Sequence, residues 1–404
     1  MRGKTGTEHN FFISIGAGSN QIPLIHEAKV SGFSVIGIDR DPAAPGLMLC
    51  DIRIHESIEE YYSIYQKLKA LIDIEDIKGV LSRSFGPAIK TVSFIAEQCD
   101  ISMIPFDRTD DFIDKSKMKM NIQEIGVPTP DYRVVDGLSV QAIEHDLLPC
   151  VIKPVTGHAK RGVQLLRNRS ELEQCIPSPQ AGERFLVERF LEGDEIIAIG
   201  IIHRKRYHLI GITDKIKTPP PYFVDIMHIT PSRYDHLKEP IRVLGQRICE
   251  GFEISASPLI MELIVDHHDN LSLIEAVPEF GGEFLSDTLI PAATGYNFFG
   301  EMVNAATGLP FTPPKAKVRR AVAVRYITGE RGTLASYTPP PAGEKGILLS
   351  KMLKPLGAQT DRPVSNHDRI GVIITSARSR ARALRRAERA LMNLNIRIID
   401  GNSA

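Results

Sequence analysis

Two acidic residues on neighbouring apolar segments are the first candidates for chemistry. Glu262 lies in the run Ser257–Val265 and Glu275 in the run Leu271–Ala276, 13 positions later. The segment between the runs, Asp266-His267-His268-Asp269-Asn270, reads as a turn. If the runs pair as antiparallel strands, the two carboxylates come side by side. Adjacent carboxylates repel, which calls for a cation between them. Mg²⁺, held by one or two carboxylates plus nucleotide phosphates, meets that demand. Lys115, near a helix start, and Lys153, at the end of the strand Cys-Val-Ile-Lys, supply point charges for such phosphates. The loop Thr156–Val163 follows Lys153, and the segment FLVERFLEGDEI places Glu188 and Glu195 on either side of an apolar bend.

These residues need elements to hold them. The chain opens with an apolar run, Phe11–Ile15, then Gly16-Ala17-Gly18-Ser19-Asn20-Gln21, a helical pattern, and a second apolar run ending at Asp39. That order is strand, glycine turn, helix, strand, the opening of a doubly wound parallel sheet. A helix over 58–72, a strand at 79–81, a helix over 87–99 and a short strand at 101–104 continue it. A helix over 110–125 is closed by Gly126, with Pro128 and Pro130 beyond. The middle of the chain reads as α+β with an antiparallel sheet, followed by a helix over 237–252. After the Pro-rich stretch Leu309–Pro314 come strands at 318–327 and 370–374 and a helix over 377–394.

A chain of 404 residues exceeds one ordinary core, so two to three domains are expected. Lys+Arg and Asp+Glu both number 49, so no net charge draws the chain toward nucleic acid or an anionic membrane. No apolar run approaches the roughly 18 residues of a membrane span, and the polar start MRGKTGTEHN lacks the core of a signal peptide. Five widely spaced cysteines without a CxxC pair argue against a disulfide framework or a structural zinc site, which makes the cytoplasm the expected location. His267-His268 reads as a solvated turn. The arginine stripe Arg378, Arg382, Arg385 and Arg389 reads as a solvated helix face. The glycine turn is half of a dinucleotide fingerprint, with Asp39 where a ribose-binding acid would stand, so a nicotinamide-dependent oxidoreductase remains the remotest alternative.

Taken in order, the segments DKSKMKMNIQEIGVPTP, VIKP, TGHAKRG, VERFLEGDE and LIEAVPEFGG resemble the ATP-grasp superfamily of carboxylate–amine ligases, over nearly the whole chain. The opening β–turn–α–β–acid segment is similar to the superfamily's Rossmann-like pre-ATP-grasp domain. The C-terminal AVAVRYITGERG and RIGVIITSARSRARALRRAERAL resemble the third domain of members like L-amino-acid ligases and biotin carboxylases. The resemblance implies a mixed α/β and α+β chain: residues 1–107 Rossmann-like, 108–313 the grasp with a mobile lid over about 127–188, and 314–404 a small β-rich domain. It implies ATP with Mg²⁺ or Mn²⁺, Lys115 and Lys153 on the phosphates, and Glu188, Phe190 and Leu191 bordering the adenine. It also implies Glu195 on the ribose and Glu262 and Glu275 on the metal. Members with this domain order often dimerise, so a homodimer is expected.

Two positions depart from the pattern. Where the superfamily commonly has asparagine and arginine after the second metal acid, this chain has Val277 and Glu279. Lys215, Arg161 or Arg325 is then expected to supply the missing charge. Glu279 is expected to face an amine's ammonium group or to be held by an arginine such as Arg325. The expected reaction joins a small-molecule carboxylate to an amine, amino acids among the options, through an acyl phosphate, with ADP and phosphate released. The Gly281-Gly282 turn is expected to let backbone amides approach that intermediate. A non-catalytic ATP-binding homologue, or a carboxylase or purine-type ligase of the same superfamily, is the alternative.

Overall fold

The computed structural model describes residues 10–84, 86–136, 147–157, 160–175, 183–282, 284–315, 317–340 and 343–399. The loop part of the lid motif at His158 and Ala159 lies outside them. No helix among the described residues is long and apolar enough to cross a membrane.

The first 100 residues form a parallel four-stranded sheet in the order Ile52–His55, Ser34–Asp39, Phe11–Ile15, Ile77–Leu81. The central strand is buried along its whole length, as an apolar run covered on both faces by helices must be. The segment Ile101–Ile104 is not a strand. Ile101 N–H turns back to the Ala96 carbonyl, and the Met103 carbonyl accepts from Ser255 N–H, so the segment serves as a seam to the central domain. The glycine turn is filled from within. Asp39 accepts from Ala17 N–H at 2.9 Å and from Asp41 N–H at 3.0 Å, and Gln21 bonds Arg83 N–H and Ser84 Oγ. Gly16 is left-handed at φ +94°, and a Cβ there would lie 2.9 Å from Gln21 Nε2. Asp39 and the glycines thus fasten the turn.

The expected helix over 110–125 is two helices, Asp110–Ile113 and Lys115–Glu124, broken at Asp114. The Asp114 carboxylate caps the second helix by accepting from Ser116 and Lys117 N–H. That break places Lys115 at the first helical position. Beyond it a small antiparallel sheet, ordered Tyr132–Asp136, Arg184–Arg189, Cys150–Pro154, Gln164–Leu166, packs around Cys150, Ile152, Phe185 and Val187 as a unit with its own core.

The large sheet has eight strands. It runs Leu271–Val277, Ala256–Val265, Asp194–His203, Arg206–Lys217, Asp225–Thr230, Ala321–Thr328, Arg369–Ala377, Ile347–Met352, with antiparallel pairing at every step. The strands after the Pro-rich stretch extend the central sheet, so the division drawn after residue 313 does not coincide with a break in hydrogen bonding. Sequence reading missed Arg206–Lys217, where charged residues interrupt the apolar pattern. Residues 280–307 tie the sheet to the first domain: Phe280 stacks on Phe299 at 4.5 Å, and Arg83 lies over Phe299 and pairs with Asp287 at 3.0 Å.

Candidate active site

Glu262 and Glu275 are direct cross-strand partners in the hairpin Ala256–Val265/Leu271–Val277, with a bulge just after Glu262. The turn between them is held by Asp266, which accepts from His268 and Asn270, and its two histidines are exposed. Each acid meets a lysine. Lys115 Nζ is 3.1 Å from Glu275 and donates to the Gly157 carbonyl at 2.8 Å, tying the capped helix to the lid loop. Lys215 Nζ is 2.9 Å and Lys160 Nζ 3.1 Å from Glu262. Burial alone would push the Glu275 carboxyl up, but Lys115, Lys153 and Lys160 bring it down to about 2.

Lys153 does not approach Glu275 as closely. It lies 2.6 Å from Glu188, whose other oxygen is 2.7 Å from Lys119. Burial of Glu188 opposes its charge, and the two ammoniums overcome that and hold it below the usual range. Lys119 is 1% exposed, and burial together with the neighbouring Lys153 draws its ammonium down to about 8, against attraction from Glu188. Beyond the bend, the rings of Phe190 and Phe223 are nearly parallel with centroids 6.3 Å apart, and Leu191 follows on the same bend.

Glu195 is the second hub. Lys215 lies 2.6 Å and Lys160 3.7 Å away, and Lys217 also pairs with it. Lys215 further contacts Asp225 at 3.4 Å. Asp225 in turn meets Arg369, which comes from the C-terminal segment at 3.4 Å and stacks 3.7 Å over Tyr326. Six ammoniums (Lys115, Lys119, Lys153, Lys160, Lys215, Lys217) therefore interleave with five carboxylates. Such a surface can exchange its internal ion pairs for a polyphosphate and a divalent cation. Among the described residues no three His, Cys, Asp or Glu side chains are gathered to hold a metal. Glu262 and Glu275 still fit one: two facing carboxylates are the donor set Mg²⁺ uses when phosphates complete its shell.

The expected partnership of Glu279 with Arg325 is corrected. Arg325 Nε pairs with Glu388 at 3.0 Å, and its Nη1 donates to the Ile226 and Tyr326 carbonyls. The alternation of Ala321–Thr328 turns it toward the C-terminal helix Arg380–Asn393. The arginine that reaches the site network is Arg369, through Asp225. Lys119, Lys217 and Arg369 were not recognised from sequence, whereas Lys160 falls in the lid-loop motif and Asp225 in the segment Pro221–His228, expected to line the substrate side. Lys119 could have been, four residues after Lys115 and so on the same helical face, and Lys217 two residues after Lys215 on one strand face. Arg369 carries no local signal.

Two family models match the chain: an ATP-grasp domain over residues 147–287 and an L-amino acid ligase C-terminal domain 2 over residues 325–398. The chain thus contains an ATP-grasp domain. It is 27% identical over 333 residues to the uncharacterized protein y4rH of Sinorhizobium fredii, covering 79% of this chain and 68% of that protein. It is 26% identical over 204 residues to the formate-dependent phosphoribosylglycinamide formyltransferase of Methanocaldococcus jannaschii, covering 46% of this chain and 49% of that enzyme. The match thus spans about half the length of the formyltransferase. In fold, the chain is similar to an L-amino acid ligase from Bacillus licheniformis (TM-score 0.79, 20% identity, 98% of this chain and 100% of that one). It is also similar to a phosphoribosylglycinamide synthetase from Anaerococcus prevotii (TM-score 0.74, 19% identity, 97% and 100%).

Within the ATP-grasp domain Glu279 is half-buried, and burial followed by repulsion from Glu275 pushes its carboxyl up to about 8. The Gly86 N–H bonds it. Its folded value stands above the unfolded value of about 4.3, so the stability it contributes is complete below that pH and is lost as pH rises toward 8. Glu279→Gln cannot ionise. At pH 8 it should be more stable than the parent by about 1–2 kcal/mol, and the difference should shrink as pH falls toward 4. Urea midpoints at the two pH values measure this; a glutamine variant less stable at pH 8 contradicts it.

Proposed function

We propose that the chain is an ADP-forming carboxylate–amine ligase. A substrate carboxylate oxygen attacks the γ-phosphorus of ATP, and the bond to the β,γ-bridging oxygen breaks to give an acyl phosphate and ADP. An amine nitrogen then attacks the acyl carbon, loses a proton, and displaces phosphate to leave an amide. The observation that carries this reading is the cross-strand pair Glu262–Glu275 with Lys115 set on the second acid. The ATP-grasp domain match over residues 147–287 supports it.

In this reading Lys115 and Lys153 exchange their carboxylate partners for phosphate oxygens, and Lys160 enters with the lid loop. Glu262 and Glu275 would hold Mg²⁺ or Mn²⁺, which neutralises charge on the transferring phosphoryl group when bound. Glu188, Phe190 and Leu191 border the adenine, Glu195 meets the ribose, and Lys215 keeps Glu195 and Glu262 in register by pairing with both. The Gly281–Gly282 turn offers backbone at close range, since a Cβ on Gly282 would meet nothing within 4 Å. The sheet of residues 132–189 acts as a lid that keeps water from a labile acyl phosphate. Free Cys50, Cys99 and Cys249 support a reducing, cytoplasmic setting. The three-part division at residues 107 and 313 and a homodimer belong to the same proposal.

Glu279 stands where a substrate-binding arginine is common, and no arginine reaches it among the described ion pairs. A carboxyl there favours an ammonium over an anionic group. Above about pH 8, where the carboxyl is charged, Glu279→Gln should raise the amine's KM about 10- to 100-fold, the worth of one charge-assisted hydrogen bond, and leave the KM for ATP unchanged. An equal loss of turnover with every amine and no KM effect contradicts this role. The activity itself is tested by ADP release across amino acids and small carboxylates with amines, with mass spectrometry of the products. An amide with stoichiometric ADP and phosphate is expected; AMP and pyrophosphate contradict the proposal.

A further inference from the structure

The strand Asp194–His203 begins at the active site with Glu195 and ends, roughly 26 Å away at about 3.3 Å per residue, in a hairpin tip reading His203-Arg204-Lys205-Arg206-Tyr207-His208. His203 is the cross-strand partner of Arg206, and His208 follows Arg206 by two, so strand alternation sets these three on one face. Tyr207 takes the opposite face and is buried. The segment Gly308–Pro313, which leads toward the C-terminal strands, lies over the basic face. Phe311 wedges between the imidazoles, 4.5 Å from His203 and 5.2 Å from His208. Between tip and segment is an open pocket of about 490 Å³, lined by His203, Arg204, Arg206 and His208 on one side and by Gly308, Phe311 and their neighbours on the other. That volume is in the range of small-molecule sites.

Three features of this pocket point to an anion. Arg204, Arg206, His203 and His208 pair with no carboxylate among the described residues, whereas every lysine of the active site does. The Nδ1 of His203 is buried without a hydrogen-bond partner among the described residues. Among the described residues, the charged neighbours that perturb the two histidines are cations: burial and then Arg204 lower His203, and burial, Arg206 and His203 lower His208. In addition, Arg204 and Lys205 adopt the left-handed conformation at φ 50° and 58°, where hairpins ordinarily carry asparagine or glycine. Long cationic side chains are thus held at a turn that disfavours them and repel each other unless an anion joins them.

We propose that this pocket binds a small molecule through its phosphate group, at a site separate from the one described above. Two guanidiniums offer forked donors that match a dianionic phosphate, and the imidazoles add donors at its edge. The concave shape under Gly308–Pro313 favours a small molecule over a nucleic-acid strand. The inference does not rest on the ligase reading, since none of its residues belongs to that site.

The test is calorimetric titration of the full-length chain with inorganic phosphate, in the parent, Arg206→Gln, the double variant Arg204→Gln/Arg206→Gln, and Lys153→Ala. Saturable binding near or below about 1 mM is expected in the parent and in Lys153→Ala. Arg206→Gln should weaken it at least tenfold with an unchanged thermal melt, and the double variant should abolish it. As an independent readout, proton resonances of the His203 and His208 rings should shift on phosphate addition in Lys153→Ala. Absence of saturable binding, equal affinity in the double variant, or loss only in Lys153→Ala would each overturn the proposal.

Discussion

Replacing Glu275 by alanine lowers ATP-dependent turnover by at least about 1,000-fold while the protein remains folded. Glu275 lies directly across from Glu262, and Lys115 meets it at 3.1 Å. Removing it halves the candidate metal donor set and frees Lys115 from its fixed position. Loss of metal-assisted charge stabilisation is worth several kcal/mol, and about 4 kcal/mol corresponds to the stated factor. The cost to stability is smaller and depends on pH. The folded value of Glu275 is depressed to about 2, so its contribution is present above the unfolded value near 4.3 and disappears as pH falls toward 2. Parent and variant should therefore converge in acid. Turnover measured as ADP release, beside circular dichroism, checks both parts; a loss under tenfold removes Glu275 from the machinery.

The largest stability effect should come from Lys215→Met. Lys215 is 5% exposed, and its ammonium meets Glu195 at 2.6 Å, Glu262 at 2.9 Å and Asp225 at 3.4 Å. Burial works against its charge, but Asp225, Glu195 and Glu262 raise its folded value above the ordinary one, so its contribution is fully present at neutral pH and is lost only in strong alkali. Methionine fills the space and leaves three clustered carboxylates with Lys160, Lys217 and Arg369 as their remaining paired cations among the described residues. Breaking a buried pair in this way costs about 3–5 kcal/mol. The deficit should narrow as pH is lowered toward 5, because the stranded carboxylates can then take up protons. Urea unfolding at pH 7.5 and pH 5 measures it. Equal stability at pH 7.5 would show that the lysine's charge is not what holds the hub together.

Much of this arrangement was legible because it is local. The Glu262–Glu275 pairing followed from two apolar runs around a turn. The positions of Lys115 and Lys153 followed from a helix start and a strand end. What was not legible depends on long-range closure. Arg369 reaches Asp225 only because the C-terminal strands add to the central sheet, and the sequence around Arg369 is that of an ordinary exposed strand entry. Arg325 misled for the converse reason. It is an arginine inside an apolar strand, which invites a functional reading, but strand alternation aims it at Glu388. The strand Arg206–Lys217 escaped because its active-site end carries Asp214, Lys215 and Lys217, which belong to ion pairs and break the apolar signal.

If a substrate carboxylate takes the γ-phosphoryl group of ATP, oxygen transfer from that carboxylate to phosphate must follow. With the carboxylate substrate labelled in both oxygens with ¹⁸O, and the reaction run in unlabelled water, the released phosphate should carry one ¹⁸O and the nucleotide product should be ADP. Phosphate free of label, or label found in AMP, would contradict the account.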